Sequence, residues 1–203
     1  MRVGILGGTF NPPHLGHLIC AQEAHLQLHL DRVLLIPNGQ PPHKPSLEDE
    51  PGPEHRLELC RRAIGGDPRF EVSDLEIRRE GPSYTVDTLS SLRSLMPDSE
   101  LFLIVGGDVA AELPTWCEPE RVLSLATLAV ARRRGTTRAS IDEALSTLTG
   151  GDRAEFFRMP RIGISSTEIR KRVQLQEPIT YLVPDPVANY IDEHRLYGGR
   201  KEL

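Results

Sequence analysis

The sequence predicts an α/β fold, a doubly wound parallel sheet of the Rossmann-like type, and three observations lead there. Short apolar runs recur along the chain at fairly even spacing. Several are continuously apolar instead of alternating, the pattern of strands covered on both faces. Helical periodicities fill the intervals, which implies right-handed strand–helix–strand crossovers.

In chain order, Arg2–Leu6 reads as the first strand and is followed by a helix over Leu15–His29. Arg32–Ile36 is the second strand. The stretch from Pro41 to Pro53 holds five prolines and several charges, so it is a loop. A helix over Glu54–Ile64 leads to a strand over Phe70–Ile77, and a helix over Ser83–Met96 to a strand over Leu101–Val105. Pro119–Leu125 and Ser140–Leu148 read as helices that alternate with strands at Leu128–Ala131 and Glu155–Arg158. Two more helices, Ser166–Gln174 and Pro186–His194, close the pattern. With no repeat and no second composition regime, residues 1–203 are expected to form one domain. Its C-terminal helices, from about 164 to 198, would make a small subdomain on the main sheet.

Composition narrows the function. With 203 residues, 38% hydrophobic and 26% charged, the chain can bury a core without disulfides and is neither fibrous, disordered nor membrane-spanning. A net charge of −5 offers no general field for gripping nucleic acid, whereas a small phosphorylated ligand needs only a local site. Cys20, Cys60 and Cys117 are widely separated and form no CxxC pair, as in reduced cytoplasmic proteins. The opening MRVGILGGTF is too short for a secretory segment. The sequence leaves self-association open.

The richest stretch is Gly7-Gly8-Thr9-Phe10-Asn11-Pro12-Pro13-His14-Leu15-Gly16-His17, between the first strand and the first helix. Ligands of open α/β sheets bind beyond the carboxyl ends of the strands, and the first strand–helix turn is the prime location. The glycines let backbone approach a ligand closely. His14 and His17 share a face of the first helical turn, where unpaired amides and the positive dipole end attract phosphate. The string is HxGH, not GxGxxG or a Walker A loop. In it the sequence resembles the HxGH nucleotidyltransferase superfamily, which implies transfer of a nucleotidyl group.

A second string, Ile164-Ser165-Ser166-Thr167-Glu168-Ile169-Arg170, reads as a capped helix start, with Ser165 or Ser166 as the cap. It resembles the superfamily's triphosphate motif, which implies Ser165, Thr167 and Arg170 as ligands of the ATP phosphates. Neither string holds a cysteine, a lysine or a serine with an adjacent base, so the expected reaction is direct in-line attack. His14, His17 and Arg170 would neutralise developing charge. Mg²⁺ would travel on the ATP phosphates, with no protein metal site.

Three further strings concern the acceptor. Asn38 and Lys44 follow the second strand, Gly81-Pro82-Ser83-Tyr84-Thr85 opens a helix, and Gly106-Gly107-Asp108 ends the fourth strand with Trp116 just beyond. With the closing Val187, Tyr190, Ile191, Leu196 and Tyr197-Gly198, they resemble the bacterial nicotinate-nucleotide adenylyltransferase family from Gly7 to Gly198. That resemblance implies ATP and nicotinate mononucleotide as substrates and neither nucleic acid nor membrane as a partner. It implies ATP contacts from Gly7, Gly8, Thr9, Phe10, Gly16, His17, Gly106, Asp108, Ile164, Ser165, Thr167 and Arg170. Asn38, Lys44, Tyr84, Thr85, Asp108 and Trp116 would hold the acceptor: amides near Tyr84 and Thr85 on its carboxylate, Trp116 on its ring, Asp108 on ribose. The basic run Arg132–Arg134 reads as solvated, or as supplying one phosphate contact.

Overall fold

A computed structural model describes residues 1–41, 51–132 and 137–198, and in it the six apolar runs form one sheet in which every strand pairs parallel. The first half comprises β1 (Arg2–Gly8), α1 (Leu15–Gln27), β2 (Arg32–Pro37), α2 (Pro53–Ile64), β3 (Phe70–Val72), α3 (Leu75–Arg78) and α4 (Thr85–Leu95). The second comprises β4 (Glu100–Gly106), α5 (Gly107–Ala111), α6 (Pro119–Leu125), β5 (Thr127–Arg132), α7 (Arg138–Leu145), β6 (Glu155–Arg158), α8 (Ser166–Gln174) and α9 (Asp185–Glu193). The strand order is β3-β2-β1-β4-β5-β6, which reverses direction at β1 and β4 and opens a crevice beyond their carboxyl ends.

The continuous apolar runs are explained by two cores, one on each face. Val3, Ile5, Leu103 and Val130 pack with α4, α6 and α7, while Leu6, Leu35, Ile104 and Phe157 pack with α1. Gly4 lies between the first pair because a Cβ there would come within 2.8 Å of Leu30 and 2.9 Å of Ile104. A third cluster joins α8 and α9 to α2 through Leu59, Ala63, Ile169, Val187 and Ile191.

Most element boundaries move by one to three residues, each for a local reason. α1 stops at Gln27, short of His29, because His29 takes a left-handed φ of 50° and the Leu30 amide turns back to the His25 carbonyl at 3.0 Å. α4 starts at Thr85 and not Ser83, whose hydroxyl is occupied by the Gly39 and Gln40 amides. α7 is capped by the Thr137 hydroxyl, which accepts from the Ser140 amide, so the helix begins ahead of Ser140. The largest difference is at Phe70–Ile77. Only Phe70–Val72 is strand; the Leu75 amide then donates to Ser73 Oγ and the Arg78 amide to the Asp74 carbonyl, winding Leu75–Arg78 into a helical turn. α5 is a further short helix that the sequence reading did not separate from the strand before it.

Candidate active site

At the reversal point lies a cavity of about 340 Å³, lined among others by Gly7, Gly8, His17, Asn38, Thr85, Gly106 and Trp116. Gly7 is open to it: a Cβ there would meet nothing within 4 Å. Gly8 rests on the Phe10 ring, which is 2% exposed and meets His17 edge-on at 5.0 Å between centroids. Phe10 therefore supports His17 from beneath and lies outside the cavity lining.

His14 is the N-cap of α1 and is 7% exposed, its ring stacked on that of His17 with centroids 3.8 Å apart. The His14 backbone N–H donates to His17 Nδ1 at 3.2 Å. With Nδ1 an acceptor, the neutral His17 ring carries its proton on Nε2. Gly16 owes its place to crowding. A Cβ on it would stand 2.9 Å from His14 Nδ1 and 3.0 Å from its Cε1, with Ile162 at 3.6 Å on another side.

The anion cradle expected at the start of α1 is mostly filled by the protein. The Leu15 amide donates to the Leu182 carbonyl at 3.0 Å and the His17 amide to the His14 carbonyl at 2.9 Å. Gly16 holds the remaining amide of that turn. The start of α8 is more open. Ser165 is the cap, its hydroxyl accepting from the Glu168 amide at 3.2 Å, and the Ser166 and Thr167 amides have no acceptor among the described residues. Two hydrogen bonds bolt α8 to the HxGH turn: Ser166 Oγ donates to the Pro12 carbonyl at 2.8 Å and Arg170 Nη1 to the Asn11 carbonyl at 2.8 Å. Arg170 Nη2 reaches Thr167 Oγ1 at 3.4 Å. The two signatures thus meet although about 150 residues separate them. Ile164 packs beside the third apolar cluster.

At the start of α4 the Tyr84 amide is taken by the Pro82 carbonyl at 3.1 Å, so it is not one of the open donors expected there. The Thr85 and Val86 amides have no acceptor among the described residues. Trp116 is half-buried against the core and lines the cavity. Asp108 is exposed, its carboxylate folded over Gly106, where a Cβ would lie 2.5 Å from Oδ1. Asn38 lines the cavity, but its Oδ1 accepts from Arg56 and its Nδ2 approaches Thr9 Oγ1 at 3.4 Å, so it also ties loops together. Lys44, Arg133 and Arg134, and most of the Pro41–Pro53 loop, lie outside the described residues.

Residues 5–172 match the model of the cytidylyltransferase-like family. The chain is 44% identical over 202 residues to the probable nicotinate-nucleotide adenylyltransferase of Desulfitobacterium hafniense, covering 97% of this chain and 95% of that one. It is 46% identical over 198 residues to the Roseiflexus protein of the same name, with 96% and 97% covered. The chain belongs to the nicotinate-nucleotide adenylyltransferase family. The fold agrees with that of Plasmodium falciparum nicotinic acid mononucleotide adenylyltransferase complexed with NaAD, at a TM-score of 0.79 and 18% identity over 97% of both chains.

Two residues that no motif indicated brace the loops around the candidate site of this nicotinate-nucleotide adenylyltransferase family member. Arg56 on α2 is 5% exposed and forks into the loops after β1 and β2. Nη1 donates to the Thr9 carbonyl at 2.9 Å and to Asn38 Oδ1 at 3.0 Å, and Nη2 to the Gly39 carbonyl at 3.1 Å. Glu76 on α3 is 7% exposed, lines the cavity and accepts from Thr88 Oγ1 at 2.6 Å. Burial pushes its carboxyl above the ordinary range, and Thr88, Arg79, Ser83 and Arg56 draw it part of the way back. Ser73-Asp74-Leu75-Glu76 does carry a capping-box spacing, a signal that could have revealed the turn.

Proposed function

We propose that this chain transfers AMP from ATP to nicotinate mononucleotide, forming nicotinate adenine dinucleotide and pyrophosphate, a step of NAD biosynthesis. The reading rests most on one observation: His17, the start of α4 and Trp116 line the same cavity at the reversal of the sheet. The names of the relatives point to the same reaction.

An oxygen of the mononucleotide phosphate attacks the α-phosphorus of ATP in line. The new P–O bond forms as the bond from the α-phosphorus to the bridging oxygen breaks, and pyrophosphate leaves with that electron pair. The attacking phosphate is already ionised, so no general base is needed, and catalysis is positioning and charge stabilisation. His17 presents its Nε2 proton to the transferring phosphoryl group, over a ring braced by Phe10 and His14. The Ser166 and Thr167 amides and the Arg170 fork meet the β- and γ-phosphates, with Arg170 pre-oriented by the Asn11 carbonyl. Among the described residues no group of three or more His, Cys, Asp or Glu could hold a metal. Mg²⁺ would arrive on the ATP phosphates, where it would supply charge neutralisation.

The acceptor carboxylate sits on the Thr85 and Val86 amides, its pyridine ring against Trp116 and a ribose hydroxyl on Asp108. Amide donors suit a carboxylate and clash with the NH₂ of nicotinamide, which gives a preference on the order of 10² for the acid. We place the enzyme in the cytoplasm, where its separated thiols stay reduced. Among the described residues no helix is long and apolar enough to cross a membrane.

The test is pyrophosphate release with MgATP and, in parallel, nicotinate mononucleotide, nicotinamide mononucleotide and phosphopantetheine. Strong release with the first alone is expected. Release with another acceptor would keep the chemistry and overturn the carboxylate cradle. Silence with all three while ATP still binds would replace the enzyme with a nucleotide sensor.

A further inference from the structure

The short turn Asn38–Gln40 after β2 is held from two sides, by a buried arginine and by a buried serine hydroxyl. Arg56 takes the Gly39 carbonyl at 3.1 Å, and Ser83 Oγ accepts the Gly39 amide at 3.0 Å and the Gln40 amide at 3.3 Å. The turn lies so close to α3 that a Cβ on Gly39 would collide with the Glu76 carbonyl oxygen. The Ser83 amide also donates to the Gln40 carbonyl at 2.8 Å. The turn after β2 and the entry to α4 therefore form one unit, and Glu76 lies beneath it.

Glu76 is the acceptor at the centre of this unit. Ser83 Oγ accepts two N–H groups, which leaves its own hydrogen to donate, and its hydroxyl is one of the groups that draw the Glu76 carboxyl back down from where burial puts it. Thr88 Oγ1 accepts from Arg79 Nη2 at 3.1 Å, and its hydrogen has two acceptors in reach, Glu76 Oε1 at 2.6 Å and the Tyr84 carbonyl at 3.3 Å, of which Glu76 is much the nearer. The Thr88 hydroxyl thus ties the first turn of α4 to Glu76. A glutamine there would offer one acceptor oxygen in place of two and would add an NH₂ donor to a network already supplied with donors. The cationic groups facing the carboxylate are Arg79, just beyond its own element, and Arg56 from α2; α4 turns only the Thr88 hydroxyl towards it.

We propose that Glu76 is a positioning residue for acceptor selection: by joining Thr88 to the Ser83-bound turn, it fixes the first turn of α4 so that the Thr85 and Val86 amides are presented to a substrate carboxylate. This rests on the nicotinate mononucleotide reading above. Glu76 itself makes no contact with the reacting atoms. Its effect is felt in the recognition of one substrate and of one functional group on it.

The test compares the unaltered protein with Glu76→Gln, Thr88→Val and the double variant, following kcat, both KM values, the acid-to-amide ratio of kcat/KM, and Tm. Each single variant should raise KM for nicotinate mononucleotide about tenfold and lower the acid-to-amide ratio by a similar factor. KM for ATP and kcat should stay within about twofold, and the double variant should be no worse than the poorer single one, as expected for members of one network. An unchanged acceptor KM in active Glu76→Gln overturns the inference alone, as does a fall in kcat with the acid-to-amide ratio intact. If Glu76→Gln does not fold, Thr88→Val decides by the same readouts. Absence of turnover with nicotinate mononucleotide by the unaltered protein overturns both this inference and the reading beneath it.

Discussion

Replacing Gly16 by alanine should separate stability from activity. The added Cβ would lie 2.9 Å from His14 Nδ1, and ordinary contact begins at 3.4 Å, so the ring must retreat by about half an ångström. That ring is stacked on His17 at 3.8 Å between centroids, and the His14 amide holds His17 Nδ1 at 3.2 Å, so the displacement reaches the Nε2 proton facing the cavity. A misplacement of 1 Å costs a catalytic group about 10²-fold, so half of that predicts a loss of about tenfold in kcat/KM. Stability should fall by no more than about 2 kcal/mol. Alanine gains up to about 1 kcal/mol of helix propensity over glycine, which offsets an overpacking cost of about 1–3 kcal/mol. At about 2–4 °C per kcal/mol for a chain of this size, Tm should move by less than about 8 °C. Steady-state pyrophosphate release and a thermal melt on the same preparation decide it. Activity within twofold of the unaltered protein would refute the claim that crowding against His14 is why glycine stands there.

Arg56→Lys should be costly despite keeping the charge, because an ammonium cannot serve the Thr9, Asn38 and Gly39 oxygens in one fork. A loss of about 2–4 kcal/mol in a denaturant melt, with kcat/KM reduced, is expected, and a change below about 0.5 kcal/mol would contradict it. Trp116→Ala should raise the acceptor KM about tenfold, with Trp116→Phe recovering most of it, if the indole stacks on a flat ring. The buried Glu76 carboxyl titrates above its ordinary 4.5, so the native state holds its proton more tightly than the unfolded chain does. As pH rises from about 4.5 through that raised value, the unaltered protein should lose stability relative to Glu76→Gln, and above it the difference should level off. Calorimetry across pH 4.5–8 showing the reverse slope would remove the burial argument.

The parts of this protein legible in its sequence are those whose partners are local or repetitive. RVGIL, RVLLI and LFLIV announce covered strands because each residue must face one core or the other. HxGH was readable because its own three-residue spacing builds the stacked pair. Arg56 was not, since in PEHRLELC it looks like any helix-surface arginine, and its three acceptors come from loops earlier in the chain. Glu76 was hidden for a different reason. FEVSDLEI alternates well enough to read as strand, and only the local bonds at Ser73 and Asp74 break it. The filled amides of α1 were equally invisible: the Leu15 amide is taken by a carbonyl at Leu182, which no window around the motif contains.

That last bond, with the two from Ser166 and Arg170, gives the molecule a timetable. The turn after β1 leaves the ribosome well before the groups that set its shape, which lie at 166–182. A nascent chain that has reached β6 can assemble the whole sheet and still lack the struts for its first turn. Substrate-binding competence should therefore arrive late in synthesis and abruptly, as α8 docks, so that partly made chains do not sequester ATP.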